Sequence, residues 1–289
     1  MRRKVIQTVT GNVQKDGAGV KLVRVLGPRT IKSFDPSLMM DFFDSENPED
    51  YTKGFPWHTH RGIETITYLI HGEIEHQDSL GNKGVIKDGC CQWMTAGSGI
   101  IHQEMPVAVP RLLGAQLWLN LPKDCKMAEP AYRDITSEMV PEVEEDGATV
   151  RVISGHYKGT KGAVQGGYTK MQYLDVALGP DTEWILPTEH DETVFVYIVA
   201  GNATFCEGER CHLDRPEKDQ TYSSKPAVLF DKGDELCVCT CSAGTRLHVL
   251  SGEPLGGPVA WGGPIVMNTE AELNQAFKEL ENDTFIKHK

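Results

Sequence analysis

Short runs of alternating and β-branched residues recur along the chain between glycine and proline turn signals, and no long helical period interrupts them before the C-terminus. This pattern limits the possible folds more than any other feature. Examples are Glu64-Thr65-Ile66-Thr67-Tyr68-Leu69-Ile70, Leu113-Gly114-Ala115-Gln116-Leu117-Trp118-Leu119 and Glu192-Thr193-Val194-Phe195-Val196-Tyr197-Ile198-Val199. Many short strands so spaced predict an all-β sandwich or barrel. Asp78-Ser79-Leu80-Gly81-Asn82 predicts a hairpin turn, because Gly and Asn adopt positive φ at low cost. One helix is predicted near the end. Thr269 caps it, Glu272 completes a capping box, and Leu273, Ala276, Phe277 and Leu280 follow at helical spacing as an amphipathic face for a sheet.

A chain of 289 residues suits two domains of about 130–150 residues each. A faint internal repeat supports two similar halves. Tyr68-Leu69-Ile70-His71-Gly72-Glu73-Ile74 resembles Tyr197-Ile198-Val199-Ala200-Gly201-Asn202-Ala203, and Lys87-Asp88-Gly89 echoes Asp231-Lys232-Gly233. The expected division is 1–138 and 139–289, with the acidic stretch 138–147 as a linker or as a long exposed loop. Apolar residues at 39% and charged residues at 24% exclude a disordered or membrane-embedded chain. The start, Met1-Arg2-Arg3-Lys4-Val5, lacks the apolar region of a signal peptide, so a cytoplasmic location is expected. A net charge of −12 disfavours direct nucleic-acid binding. The eight cysteines are expected to stay reduced.

The chemistry concentrates in His58-Thr59-His60-Arg61-Gly62-Ile63-Glu64 and in His102-Gln103-Glu104. Residues i and i+2 of a strand share a face, so His58 pairs with His60 and His102 with Glu104. Neighbouring strands inside a barrel would bring three imidazoles and one carboxylate together, a ligand set for a divalent first-row metal with open positions left over. The competing interpretation is two polar strand faces without an ion.

Several segments resemble the pirin family of the cupin superfamily. They are His58-Thr59-His60-Arg61-Gly62-Ile63-Glu64-Thr65-Ile66-Thr67-Tyr68-Leu69, Gly72-Glu73-Ile74-Glu75-His76, Asp78-Ser79-Leu80-Gly81-Asn82, Gln92-Trp93-Met94-Thr95-Ala96-Gly97 and Gly99-Ile100-Ile101-His102. Gly252-Glu253-Pro254-Leu255, Pro258-Val259-Ala260-Trp261 and Val266-Met267-Asn268 match the family's ending, so the resemblance covers nearly the whole chain. It implies a bicupin of two stacked antiparallel, jelly-roll-like β-barrels with a C-terminal helix. It implies iron, as Fe(II), held in the N-terminal barrel by His58, His60, His102 and Glu104; Cu, Mn, Ni and Zn are alternatives. It further implies oxidative cleavage of a flavonol such as quercetin by a 2,3-dioxygenase, with loss of carbon monoxide. The alternative is an iron-dependent, redox-sensing regulator that binds a protein partner, nuclear if eukaryotic. A monomer is expected.

Glu64 stands where many cupins place a carboxylate ligand. It competes with Glu104, which the resemblance favours as ligand. If Glu104 swings off the metal it is also the expected base toward the flavonol 3-hydroxyl, with Glu64 as the reserve base. Metal affinity is expected to fall below about pH 6, because ligation needs neutral imidazole. Gly262 replaces a residue that is more often aromatic in pirins, which predicts looser local packing. In the second half Pro187 and Glu189 fall where His58 and His60 would align, so that barrel is expected to lack a metal site. Cys237-x-Cys239-x-Cys241 would put three thiols on one face of a strand, and a reduced core lining is preferred to a metal site there. His71, His76, His156 and His212 are expected to be surface or hydrogen-bonded histidines.

Overall fold

The computed structural model describes residues 1–208, 221–223 and 225–288. It is an all-β structure whose strand pairs are antiparallel. Contacts gather it into two compact units. One holds Asn12–Lys32, Pro36–Met139 and Leu255–Lys289; the other holds Met1–Gly11, Ser33–Asp35 and Val140–Pro254. Contact therefore groups the C-terminal helix with the N-terminal barrel, and the first strand with the later one. Chain order does not reveal that exchange. Among the described residues no helix is long and apolar enough to cross a membrane.

The unit built around Pro36–Met139 has a seven-stranded and a four-stranded sheet. The larger carries Ile63–His71 and Leu112–Asn120 at its centre; the smaller is ordered Phe55–His60, Ile100–Pro106, Ile74–Asp78, Lys83–Ile86. The turn after Ile74–Asp78 forms as predicted. The Asp78 carboxylate accepts from the Leu80 and Asn82 amides at 2.9 and 3.0 Å, and Gly81 takes φ +86°. In the other unit a ten-stranded sheet closes over a core that includes Leu174, Trp184, Val196, Phe205 and Val249. The stretch expected to be a linker or exposed loop is partly a strand. Glu142–Glu145 pairs with Ala148–Ser154 and lays Val143 against that core. Its alternating apolar residue outweighs its charge.

The helix Glu270–Glu281 begins in the predicted capping box, with Thr269 Oγ1 accepting from the Glu272 amide and the Glu272 carboxylate accepting from the Thr269 amide. Leu273 and Ala276 are buried, whereas Phe277 is 37% exposed. Phe277 explains why Gly262 does not loosen the packing. A Cβ on Gly262 would meet the Phe277 ring at 2.8 Å, so the phenylalanine already fills the space.

The C-terminal segment is fastened to the barrel by two buried basic side chains, Arg61 and Lys126. Arg61 Nε donates to the Ser98 carbonyl and Nη2 to the Phe285 carbonyl, both at 2.7 Å, while Nη1 pairs with Glu279 at 2.7 Å. Its guanidinium also lies 4.1 Å from the centre of the Phe285 ring. Lys126 Nζ donates to the Gly62 carbonyl, to Asn120 Oδ1 and to the Val266 carbonyl. Gly62, at φ +77°, lets the Val266 carbonyl pass where a Cβ would come within 2.0 Å of it.

Among the cysteines, Cys90, Cys91, Cys125, Cys237, Cys239 and Cys241 are free thiols. Cys206 carries a disulfide, which departs from the fully reduced set expected. Cys211 and His212 lie outside the described residues.

Candidate metal centre

Strands Phe55–His60 and Ile100–Pro106 pair antiparallel with His102 opposite His58 and Ile100 opposite His60. The register brings three imidazoles together. Ring centroids lie 4.8 Å apart for His58–His60, 4.3 Å for His58–His102 and 5.0 Å for His60–His102. One nitrogen from each ring falls within 4.8 Å of the others.

The hydrogen bonds fix which nitrogens face inward. His58 Nδ1 lies 2.9 Å from the Pro56 carbonyl, and His60 Nδ1 lies 3.2 Å from the Pro264 carbonyl. A carbonyl only accepts, so each Nδ1 carries the proton and each Nε2 presents a lone pair. Those two Nε2 atoms face each other at 3.0 Å. Two lone pairs at that distance repel unless a cation lies between them. Nitrogen ligands about 2.1 Å from one ion and at right angles to each other are about 3.0 Å apart, so the spacing suits cis ligation. His102 is wholly buried, and neither of its ring nitrogens has a hydrogen-bond partner among the described residues. A buried polar atom without a partner is costly, and a metal bond would satisfy one of them. The donor set therefore fits a divalent metal ion.

Burial keeps His60 and His102 neutral. It pushes His60 down to about 3, with neighbouring His58 acting in the same direction, and it lowers His102 well below the ordinary range. Proton competition at these two ligands thus begins far below the pH of about 6 expected from an unperturbed histidine.

Glu104 lies on the same strand face as His102 but outside the tight group of three. Thr67 donates to its Oε1 at 3.1 Å and Gln116 to its Oε2 at 3.3 Å. Glu64 is directed elsewhere. It sits on strand Ile63–His71 at odd spacing from Thr67, hence on the opposite face. There it accepts a 2.7 Å hydrogen bond from Thr95, and burial raises its pKa.

Sequence reasoning missed His76. It is buried, stacks on Tyr132 with centroids 4.6 Å apart, and lies 5.4 Å from the His102 ring. The available signal was Ile74-x-His76-x-Asp78, whose alternation continues an apolar face inward. His71, His156 and His190 are exposed. In the other unit the described residues contain no histidine metal group; Pro187 and Glu189 are exposed.

Two antiparallel β units, one of which carries a histidine trio on paired inner strands, define a bicupin of the cupin class. Residues 19–119 match the Pirin family, and residues 173–286 match the Pirin C-terminal cupin domain. The chain belongs to the pirin family. A pirin-like protein of Caulobacter vibrioides is 39% identical over 98% of this chain and 99% of its own. Human pirin is 36% identical over 97% of this chain and 93% of its own. A solved structure of a quercetin 2,3-dioxygenase from Acinetobacter baumannii aligns with a TM-score of 0.86 at 28% identity, covering 99% of both chains.

Proposed function

We propose that this chain is a metal-dependent flavonol 2,3-dioxygenase that acts on quercetin-like substrates with a single iron ion. His58, His60 and His102 would hold the ion, and Glu104 would complete the set. The observation that carries the reading is the pair of Nε2 lone pairs at 3.0 Å beside an unpartnered His102. The full-length likeness to a quercetin 2,3-dioxygenase structure supports the substrate class. An iron ion held there would supply Lewis acidity toward the flavonol 3-oxygen and a one-electron couple for dioxygen.

The protein's own part is orientation and proton handling. Thr67 and Gln116 each donate to one oxygen of Glu104 and fix the plane of its carboxylate. That carboxylate takes the 3-hydroxyl proton, which leaves the substrate anionic and electron-rich at the carbon that dioxygen attacks. Glu64, held by Thr95 on the opposite strand face, is not placed for that transfer. His60, His102 and Ile100, on the paired strands Phe55–His60 and Ile100–Pro106, are buried, which limits the access of water.

Anaerobic loading with Fe(II), followed by quercetin in an oxygen electrode, tests the reading. Oxygen uptake should match flavonol loss, and Glu104→Gln should lower kcat by about 100-fold or more while the histidines retain metal. Loaded wild-type protein that consumes no oxygen would overturn the enzyme assignment and direct attention to a partner-binding role.

A further inference from the structure

The later barrel lacks a histidine site among its described residues, yet it holds a second cluster of ligand atoms. In strand Glu235–Cys239, Cys237 and Cys239 are two apart and share a face. Cys206 follows strand Thr193–Phe205, and its amide donates to the Cys237 carbonyl at 3.1 Å, which sets it across from them. All three are buried, with sulfurs mutually within 4.8 Å and Cys206 Sγ 3.2 Å from Cys239 Sγ. Cys241, expected to complete the trio, lies beyond the strand's end and is exposed; Cys206 takes its place.

A carboxylate and an opening accompany the sulfurs. The Cys237 thiol lies 3.4 Å from Glu183 Oε1, and that same oxygen pairs with Arg2 Nη2 at 3.3 Å. Arg2 in turn lines a cavity of about 320 Å³ with Met1, Glu207, Gly208 and Glu235. Three thiolates around one ion at about 2.3 Å would lie about 4 Å apart, close to the separations present. Sulfur ligands in a dry site select thiophilic cations over the harder ions suited to nitrogen and oxygen donors.

The oxidation state of Cys206 controls this chemistry. While its sulfur is in a disulfide it is not a thiolate ligand, whereas Cys237 and Cys239 are free. We propose that Cys206, Cys237 and Cys239 form a redox-gated site for a thiophilic divalent cation of the zinc class, opened by reduction of the Cys206 disulfide. A dithiol reductant supplies the two electrons. The protein's S–S bond breaks, the reductant closes its own S–S bond, and its two thiol protons pass to the released sulfurs. The cation then displaces the protons of the three thiols, and Arg2 partly offsets the negative charge that results.

Cobalt(II) is the probe, because thiolate ligation gives an intense near-ultraviolet charge-transfer band that histidine and carboxylate ligation does not. The full chain, reduced with a dithiol and freed of it anaerobically, should develop this band to about one equivalent of cobalt per chain. Untreated protein should not, and neither should the Cys237→Ser/Cys239→Ser double variant; His102→Ala should keep the band. No band in reduced wild type, an equal band without reduction, or a band in the double variant would overturn the proposal. Should the double variant fail to fold, zinc X-ray absorption on reduced His102→Ala decides. Three sulfur scatterers at about 2.3 Å are expected, and nitrogen and oxygen scatterers alone would refute the site. Because His102→Ala keeps the sulfur site, the outcome is independent of the iron reading.

Discussion

Changing His102 to alanine is expected to remove bound metal from the N-terminal barrel and to abolish any turnover that depends on it. His102 faces both other imidazoles and is fully buried, with no hydrogen-bond partner for either ring nitrogen among the described residues. Loss of a residue that merely supports a ligand typically costs 10–100-fold in metal affinity, so loss of the ligand itself should exceed about 100-fold. Metal analysis after gel filtration reads the effect directly. An alanine variant that keeps a full equivalent of iron would refute the ligand assignment. The same imidazoles give the metal-free protein a signed pH dependence. The value of about 3 for buried His60 means that the unfolded chain binds a proton there between about pH 6.5 and 3 while the folded chain does not. Stability of the metal-free form should therefore fall on acidification through that window, by about 1.4 kcal/mol per pH unit from His60. Urea midpoints flat from pH 6.5 to 4 would contradict this.

Arg61→Ala should be the most damaging change outside the metal ligands. The guanidinium is 2% exposed and meets two carbonyls, one carboxylate and an aromatic face. Removing one partner of a buried charge pair costs about 3–5 kcal/mol, because the other groups stay buried without their donor. Lysine should not rescue it, since an ammonium does not reproduce the planar fork that reaches Ser98, Phe285 and Glu279 together. Urea unfolding of the metal-free protein measures the loss, and an unchanged midpoint would remove Arg61 from its central place. The pairing also has an acid limit. Burial opposes ionisation of Glu279, but hydrogen bonds from Lys287, Gln275 and Arg61 outweigh it and hold the carboxyl at about 2. With a folded value below the ordinary 4.5, its stabilisation is complete above pH 4.5 and disappears as pH falls toward 2. Glu279→Gln should flatten that part of the pH profile.

What the sequence revealed and what it hid follow from the range of the interactions involved. Alternation within one strand is local, so His58 with His60, His102 with Glu104, the turn at Asp78 and the cap at Thr269 were legible. Register between strands is not local. His76 enters the site only because it pairs opposite Glu104, and that pairing depends on how Ile74–Asp78 slides along Ile100–Pro106. The choice between Glu64 and Glu104 needed the same information, since only Thr67 shows which face of its strand looks at the histidines. Charge misled at Glu142–Glu145, where one inward valine decides the structure. The resemblance named the ligand set but carried no sign of Pro264, whose carbonyl holds His60 from the far end of the chain.

That last contact has a consequence for biogenesis. Because Pro264 and Phe285 arrive late in synthesis, a ribosome-bound chain has His58, His60 and His102 outside the ribosome well before the residues that orient them have left the exit tunnel. Metal capture in the native geometry must then wait until that late segment has emerged, and a stop codon before Pro264 would leave the histidines made but not aimed.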